Sequence, residues 1–186
     1  MNASTLYLND ALEQFAKYKL MAERAMDQVN ENQLFSVPYD DGNSIGIIAK
    51  HLAGNMLSRW ADFLTADGEK RDRNRDDEFE MDPSWDRKRL MAYWNQGWEC
   101  LFEALATLEE SDLENKVTIR GESHSVVRAI SRQMTHYAYH VGQIVLLARY
   151  HAGPNWRSLS IPRGRSENFN AANWGTKKAG RGELGH

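Results

Sequence analysis

Apolar residues recur at helical spacing over most of the chain. Leu8, Leu12, Phe15, Leu20, Ala22 and Met26 alternate with charged residues and predict a helix from roughly Leu6 to Val29. It should end near Asn30-Glu31-Asn32, since Pro38 prevents easy continuation. A second helix is expected from Asn43 or Ser44, both good N-caps, to about Thr65, with Ile45, Ile48, Leu52, Met56 and Phe63 along one side. Asp67 to Asp82 is densely charged with almost no apolar anchor and reads as a solvated loop. A third helix should start at Asp82-Pro83-Ser84 and run to about Leu108 through Trp85, Leu90, Tyr93, Trp94, Trp98, Leu101, Phe102 and Leu105. Polar and apolar residues then alternate through Lys116-Val117-Thr118-Ile119-Arg120 before Gly121-Glu122, which predicts a short strand or hairpin. The fourth helix should run from Ser123 or Ser125 to Tyr150 and stop at Ala152-Gly153-Pro154.

The fourth helix carries two distinct faces. Ile130, Met134, Tyr137, Val141, Ile144, Val145 and Ala148 form an apolar stripe, while Gln133, His136, His140, Gln143 and Leu147 lie off it. Ala138 and Gly142 are small enough to admit another backbone. A helix covered on two sides belongs in a bundle, or between a bundle and a second subunit. The expected fold class is therefore all-α: one domain over 1–186, an antiparallel four-helix bundle with a short β-hairpin before the last helix. The stretch 152–186 is expected to be an irregular, extended basic tail.

Composition narrows the function classes. A chain of 186 residues, 41% hydrophobic and 26% charged, is an ordinary globular protein large enough for one well-buried core. No apolar run can cross a bilayer and Met1-Asn2-Ala3-Ser4-Thr5 does not resemble a secretory leader, so a cytoplasmic, non-membrane protein is expected. The single cysteine, Cys100, agrees with a reducing compartment. The net charge of −3 argues against a dedicated nucleic-acid binder. From Ala152 onward six basic residues face two acidic ones, a net of +4, yet Gly, Asn and Trp interrupt them and favour packing onto the body or a neighbouring subunit over a nucleic-acid arm.

Chemistry concentrates in the histidines. His136 and His140 stand four residues apart and stack on one helical face. His51, on the second helix, supplies a third imidazole. Three neutral imidazoles suit Zn²⁺, Ni²⁺ or Fe²⁺ and leave a coordination position open. The bland alternative is a coincidental pair in a chain with six histidines. No His-Glu-x-x-His occurs, and no Glu-x-x-His falls within the predicted helices, which disfavours a zinc protease and a carboxylate-bridged di-iron centre. Asn55, one turn after His51, is a candidate hydrogen-bond partner for a ligand or a metal-held water, and Ala53 and Gly54 leave room nearby.

The early His51, the pair His136-x-x-x-His140 and the order of helices resemble the DinB/YfiT-like metalloprotein superfamily. The segments Ile119-Arg120-Gly121-Glu122-Ser123-His124-Ser125, Arg132-Gln133-Met134-Thr135-His136-Tyr137-Ala138-Tyr139-His140-Val141-Gly142-Gln143-Ile144 and Trp156 to Asn170 are similar to a branch of it without an assigned activity. The resemblance spans about residues 5–170. It implies a four-helix bundle, commonly a homodimer, with a divalent metal on His51, His136 and His140. Zn²⁺ or Ni²⁺ come first and Fe²⁺ or Mn²⁺ next. Relatives include thiol S-transferases and isomerases that use low-molecular-weight thiols.

Other residues carry weaker expectations. Gln133 lies beside the histidines on its helix and is a second candidate for holding a ligand or substrate. Arg163 and Arg165 could meet an anionic substrate, although a structural role for them in turning the tail is favoured. Cys100 reads as a buried, inert thiol and the tryptophans as core or interface anchors. His124 reads as a cap or hairpin contact, His151 as a last-turn residue favoured by the helix dipole, and His186 as terminal. The leading expectation is a metal-dependent transferase that activates a small thiol towards an electrophile; no catalytic base is identifiable. Its rivals are a metal-dependent hydrolase and a non-catalytic dimeric bundle with a structural metal or a plain polar histidine cluster.

Overall fold

A computed structural model describes residues 2–174. His186 and the basic residues Lys177, Lys178 and Arg181 lie outside that range. The described chain is mostly helical, with one two-stranded antiparallel sheet. Its helices are α1 (Ala3–Met26), α2 (Glu31–Phe35), α3 (Ile45–Trp60), α4 (Arg87–Ala106), α5 (Val126–Ala152) and α6 (Ser166–Trp174); β1 (Lys116–Ile119) and β2 (Glu122–Ser125) precede α5. None of the described helices is long and apolar enough to cross a membrane.

Local chemistry explains where the helices begin. Asn2, Asn30, Ser44, Asp86 and Ser125 each stand in extended conformation and accept a backbone N–H of the first turn with their side chain. Asn30 and Gln33 form a reciprocal capping box, so the chain turns into α2 where the sequence suggested only an ending. The third long helix starts at Arg87 rather than at Asp82-Pro83-Ser84, because Asp86 provides the cap. Between β1 and β2, Arg120 and Gly121 both have positive φ (54° and 77°), the two-residue turn that suits a twisted hairpin.

The four long helices close a ring of contacts: α1 packs on α5, α5 on α3, α3 on α4 and α4 on α1. Inside it Phe15, Trp60, Trp98 and Tyr137 meet largely edge to face, with Trp94 beside Trp98. Tyr137 is fully buried. Its hydroxyl accepts from Trp60 Nε1 at 3.0 Å and donates to Asn55 Oδ1 at 3.1 Å. Gly97 lets α4 approach α3 closely: a Cβ there would stand 2.9 Å from Ala53 Cα. The small residue expected to admit another backbone, Gly142, has nothing within 4 Å of its Cβ position.

Two further regions depart from the sequence reading, and α3 ends at Trp60 rather than near Thr65. The segment expected to be a solvated loop, Asp67 to Asp82, contains a 3₁₀ turn at Asp76–Phe79 and buries Glu78 and the Arg73 side chain. The tail, expected to be irregular, carries α6 within its described residues.

Candidate metal centre

His51 comes from the middle of α3, and His136 and His140 from consecutive turns of α5. The α3–α5 contact brings them together: one ring nitrogen from each lies within 4.8 Å of the others. Nitrogens bound to a tetrahedral zinc ion stand about 3.4 Å apart, given bonds of about 2.1 Å, so small ring rotations would close the set. The ring centroids are 4.7–5.5 Å apart. His51 is buried, and the other two are half-buried.

The neighbours of two imidazoles select the nitrogen left for a ligand. Glu78 Oε2 lies 2.8 Å from His51 Nδ1. A carboxylate can only accept there, so Nδ1 carries the proton and Nε2 keeps its lone pair. His140 Nδ1 meets Gln143 Oε1 at 2.8 Å, with the same result. Such outer partners are what orients histidine ligands in metal sites.

Glu78 is the residue that sequence reasoning missed. Burial raises the affinity of its carboxyl for a proton, but hydrogen bonds from His51 and Arg73 outweigh that and hold it below the usual carboxylate range. Arg73 donates through Nε and Nη2 to the two carboxylate oxygens, at 2.7 and 2.8 Å. The 3₁₀ turn carrying Glu78 is held by Lys50 of α3, whose Nζ donates to the carbonyls of Asp77 and Glu80. Phe79, the apolar anchor of the segment, stacks 4.7 Å from the His51 ring. The room beside Gly54 is filled by Glu78 itself.

The site keeps His136 and His140 neutral. Burial pushes His136 down to about 3, aided by the neighbouring His140 and His51 and by Arg59 and Arg73. Burial likewise lowers His140 to about 4, against the opposing hydrogen bond to Gln143. Neutral imidazole is the form that binds a metal.

Beside the cluster lies a cavity of about 230 Å³ lined by His51, His136, Asn55, Gln133 and five arginines: 59, 73, 75, 120 and 132. A wider cleft of about 530 Å³ includes Gly54, Arg73 and Glu78 but none of the three histidines. The smaller cavity is the one that can deliver a molecule to them. Asn55 and Gln133 line it, although Asn55 Oδ1 already accepts from Tyr137. Arg163 and Arg165 are exposed in the tail, where Arg163 lines a separate cleft with Arg149 and Trp156. Burial raises the Cys100 thiol, which disfavours a reactive thiolate. His124 is buried in β2, paired in register with Val117. The His151 carbonyl accepts from Gln33 at 2.9 Å and ties the end of α5 to α2.

A family model described as "Protein of unknown function (DUF1572)" matches residues 2–165. No curated protein and no solved structure matches the chain.

Proposed function

The chain belongs to the DUF1572 family, and we propose that it is a divalent-metal-binding protein that holds its ion on His51, His136 and His140. We read the ring of α1, α5, α3 and α4 as the antiparallel four-helix bundle of the DinB/YfiT-like superfamily. The observation that carries the reading is the convergence of three ring nitrogens within 4.8 Å, with the Nδ1 atoms of His51 and His140 already engaged elsewhere. Imidazole-only ligation suits Zn²⁺ or Ni²⁺ first and Fe²⁺ next; Mn²⁺ is carried only by the family resemblance.

The chemistry we propose is activation of a small thiol for transfer to an electrophile. When bound, the metal supplies Lewis acidity that stabilises the ionised form of a group brought to its open position. The protein's own groups determine which nucleophile fits. Glu78 has both oxygens engaged by Arg73 and His51, and the Asn55 oxygen is engaged by Tyr137, so neither is free to take a proton. A thiol, with a pKa near 8.5, needs far less help to ionise than water at 15.7. That difference favours a transferase over a hydrolase. The exposed Tyr139, Leu146 and Tyr150, which share one face of α5, support a homodimer; sedimentation tests this reading.

Metal analysis of purified protein tests the first step: one Zn, Ni, Fe or Mn per chain is expected, and His136→Ala should lose it. Equal metal affinity in that variant would overturn the site. Metal-loaded protein is then offered low-molecular-weight thiols with electrophilic acceptors, and thiol consumption is followed. Absence of turnover across the panel, with metal retained, would leave the non-catalytic reading.

A further inference from the structure

The cavity beside the histidines has a charge balance that holding the fold together does not require. Five arginines line it, and no carboxylate does. Two buried or half-buried carboxylates stand behind the wall. Glu69 accepts from Arg59 at 2.8 Å, and from Arg73 and Arg120 at 3.2 Å. Glu78 takes the Arg73 fork. Arg59, Arg73 and Arg120 therefore satisfy both acids. Arg75 and Arg132 are surplus: the nearest acid to Arg75 is the exposed Asp76 at 3.9 Å, and Arg132 has no ion pair among the described residues. Five guanidinium groups against two carboxylates leave an excess of three positive charges around about 230 Å³.

Two buried polar atoms in the same wall also lack partners. Gln133 is 4% exposed and Arg59 5%, and Gln133 Oε1 and Arg59 Nε have no hydrogen bond among the described residues. A buried polar atom without a partner costs about 1–3 kcal/mol. An ordered water accepting from Arg59 and donating to Gln133 would remove that cost.

We propose that this cavity is an anion-binding site. It takes the oxyanion group, carboxylate or phosphate, of a small substrate on Arg75, Arg120 and Arg132, with the rest of the molecule directed towards His51 and His136. Guanidinium groups recognise such groups through paired, charge-assisted N–H bonds. Low-dielectric walls concentrate the field of the clustered cations at the mouth. The volume lies below the roughly 300–1,000 Å³ of pockets for drug-sized ligands, so the ligand is small or enters by its anionic end. This names the substrate class of the proposed metal site and rests on that reading only for what the far end of the ligand meets. Anion capture itself needs the arginines alone.

The test is calorimetric titration of the full-length, metal-loaded protein at fixed ionic strength with inorganic phosphate, with malonate and with the neutral malonamide. Phosphate or malonate should bind and malonamide should not; whichever anion binds more tightly identifies the group. Arg132→Gln should weaken that binding about tenfold, and Arg132→Gln with Arg120→Gln by more, since hydrogen bonds to charged groups carry about that much. Both side chains are largely solvent-exposed, so metal content and melting temperature should hold. Arg149→Gln makes the same charge change on the tail side of α5 and should leave binding unchanged. Failure of both anions to bind, unaltered binding in the double variant, or an equal loss in Arg149→Gln would each overturn the proposal. Titration of the metal-free wild type separates it from the metal reading: if no metal binds yet phosphate binding still depends on the arginines, the metal reading falls and this one stands.

Discussion

Glu78 lies so close to Gly54 that a Cβ at position 54 would stand 2.5 Å from its Oε1. The glycine on α3 thus clears a berth for the carboxylate that orients His51. Gly54→Ala has opposed effects. Alanine raises helix propensity by about 1 kcal/mol, while the methyl displaces a carboxylate whose bonds to Arg73 and His51 set the ligand geometry. We expect a fold of equal or higher stability with metal affinity lower by about 10–100-fold, the range seen for loss of such outer partners. Competition with a chromophoric chelator measures it, and unchanged affinity would show that Glu78 is not needed to orient His51.

Removing the metal should leave the protein folded. The core around Phe15, Trp60, Trp98 and Tyr137 is fully buried by side chains alone. Metal at a hundredfold excess over its Kd adds about 2.7 kcal/mol by mass action, so a chelator should lower the melting temperature by about 5–10 °C in a domain of this size. Helical circular dichroism at 25 °C should persist. Its collapse on chelation would assign the ion a structural role.

Acid should destabilise the metal-free protein through its histidines. His136 and His140 titrate near 3 and near 4 in the fold, below the ordinary 6.5. Above pH 6.5 both folded and unfolded chains hold them neutral, and they contribute nothing. Between 6.5 and about 4 the unfolded chain takes up protons that the folded one refuses, so stability falls with pH by at most about 1.4 kcal/mol per unit per histidine. Carboxylates with depressed values, such as Glu78, add their loss only at lower pH. Urea midpoints across pH 5–7 should show a shallower slope in His136→Gln than in the wild type; parallel slopes would contradict this.

Two glycine replacements should differ in sign. Gly97→Ala drives a Cβ to within 2.9 Å of Ala53 Cα and 3.1 Å of its carbonyl oxygen, both backbone atoms that cannot step aside. Separating α3 from α4 should cost about 1–3 kcal/mol, outweighing the propensity gain. Gly142→Ala meets open space and should stabilise an isolated chain by about 0.5–1 kcal/mol. If instead the α5 face carrying Tyr139 and Leu146 packs on a second copy, Gly142→Ala weakens association, which sedimentation reads.

The long helices and the three histidines were legible because both obey a local period. A stripe at 3.6 residues announces α5, and the same geometry sets His136 and His140 on one side. Leu20 shows the limit of that reading: it joins the apolar pattern of α1 yet is 47% exposed, since Leu8, Ala11, Phe15 and Ala22 define the buried face. Glu78 had no local signal. It lies 27 residues from His51 in a run of acids and bases, and such a run looks solvated unless its charges neutralise one another against the body of the protein. Here Glu69, Arg73 and Glu78 do so. Phe79 and the vacancy at Gly54 were the two faint marks of it. The capping box of α2 was written in Asn30 and Gln33 but lay hidden in what looked like a helix ending.

The segment that carries Glu78 is fastened at both ends. Asp67 accepts the backbone N–H groups of Glu69, Arg120 and Gly121, joining its start to the hairpin turn, and Gly68 bonds Thr118. Ser58 of α3 bridges the Gly68 carbonyl and the Lys70 N–H. Ten residues further on, Lys50 fixes Asp77 and Glu80. Between those fastenings the exposed Arg71, Asp72 and Asn74 are free to drift in identity. The number of residues is not: one inserted residue would slide Glu78 away from His51 while leaving every charge in place. Over evolutionary time this stretch should tolerate substitutions and refuse changes of length.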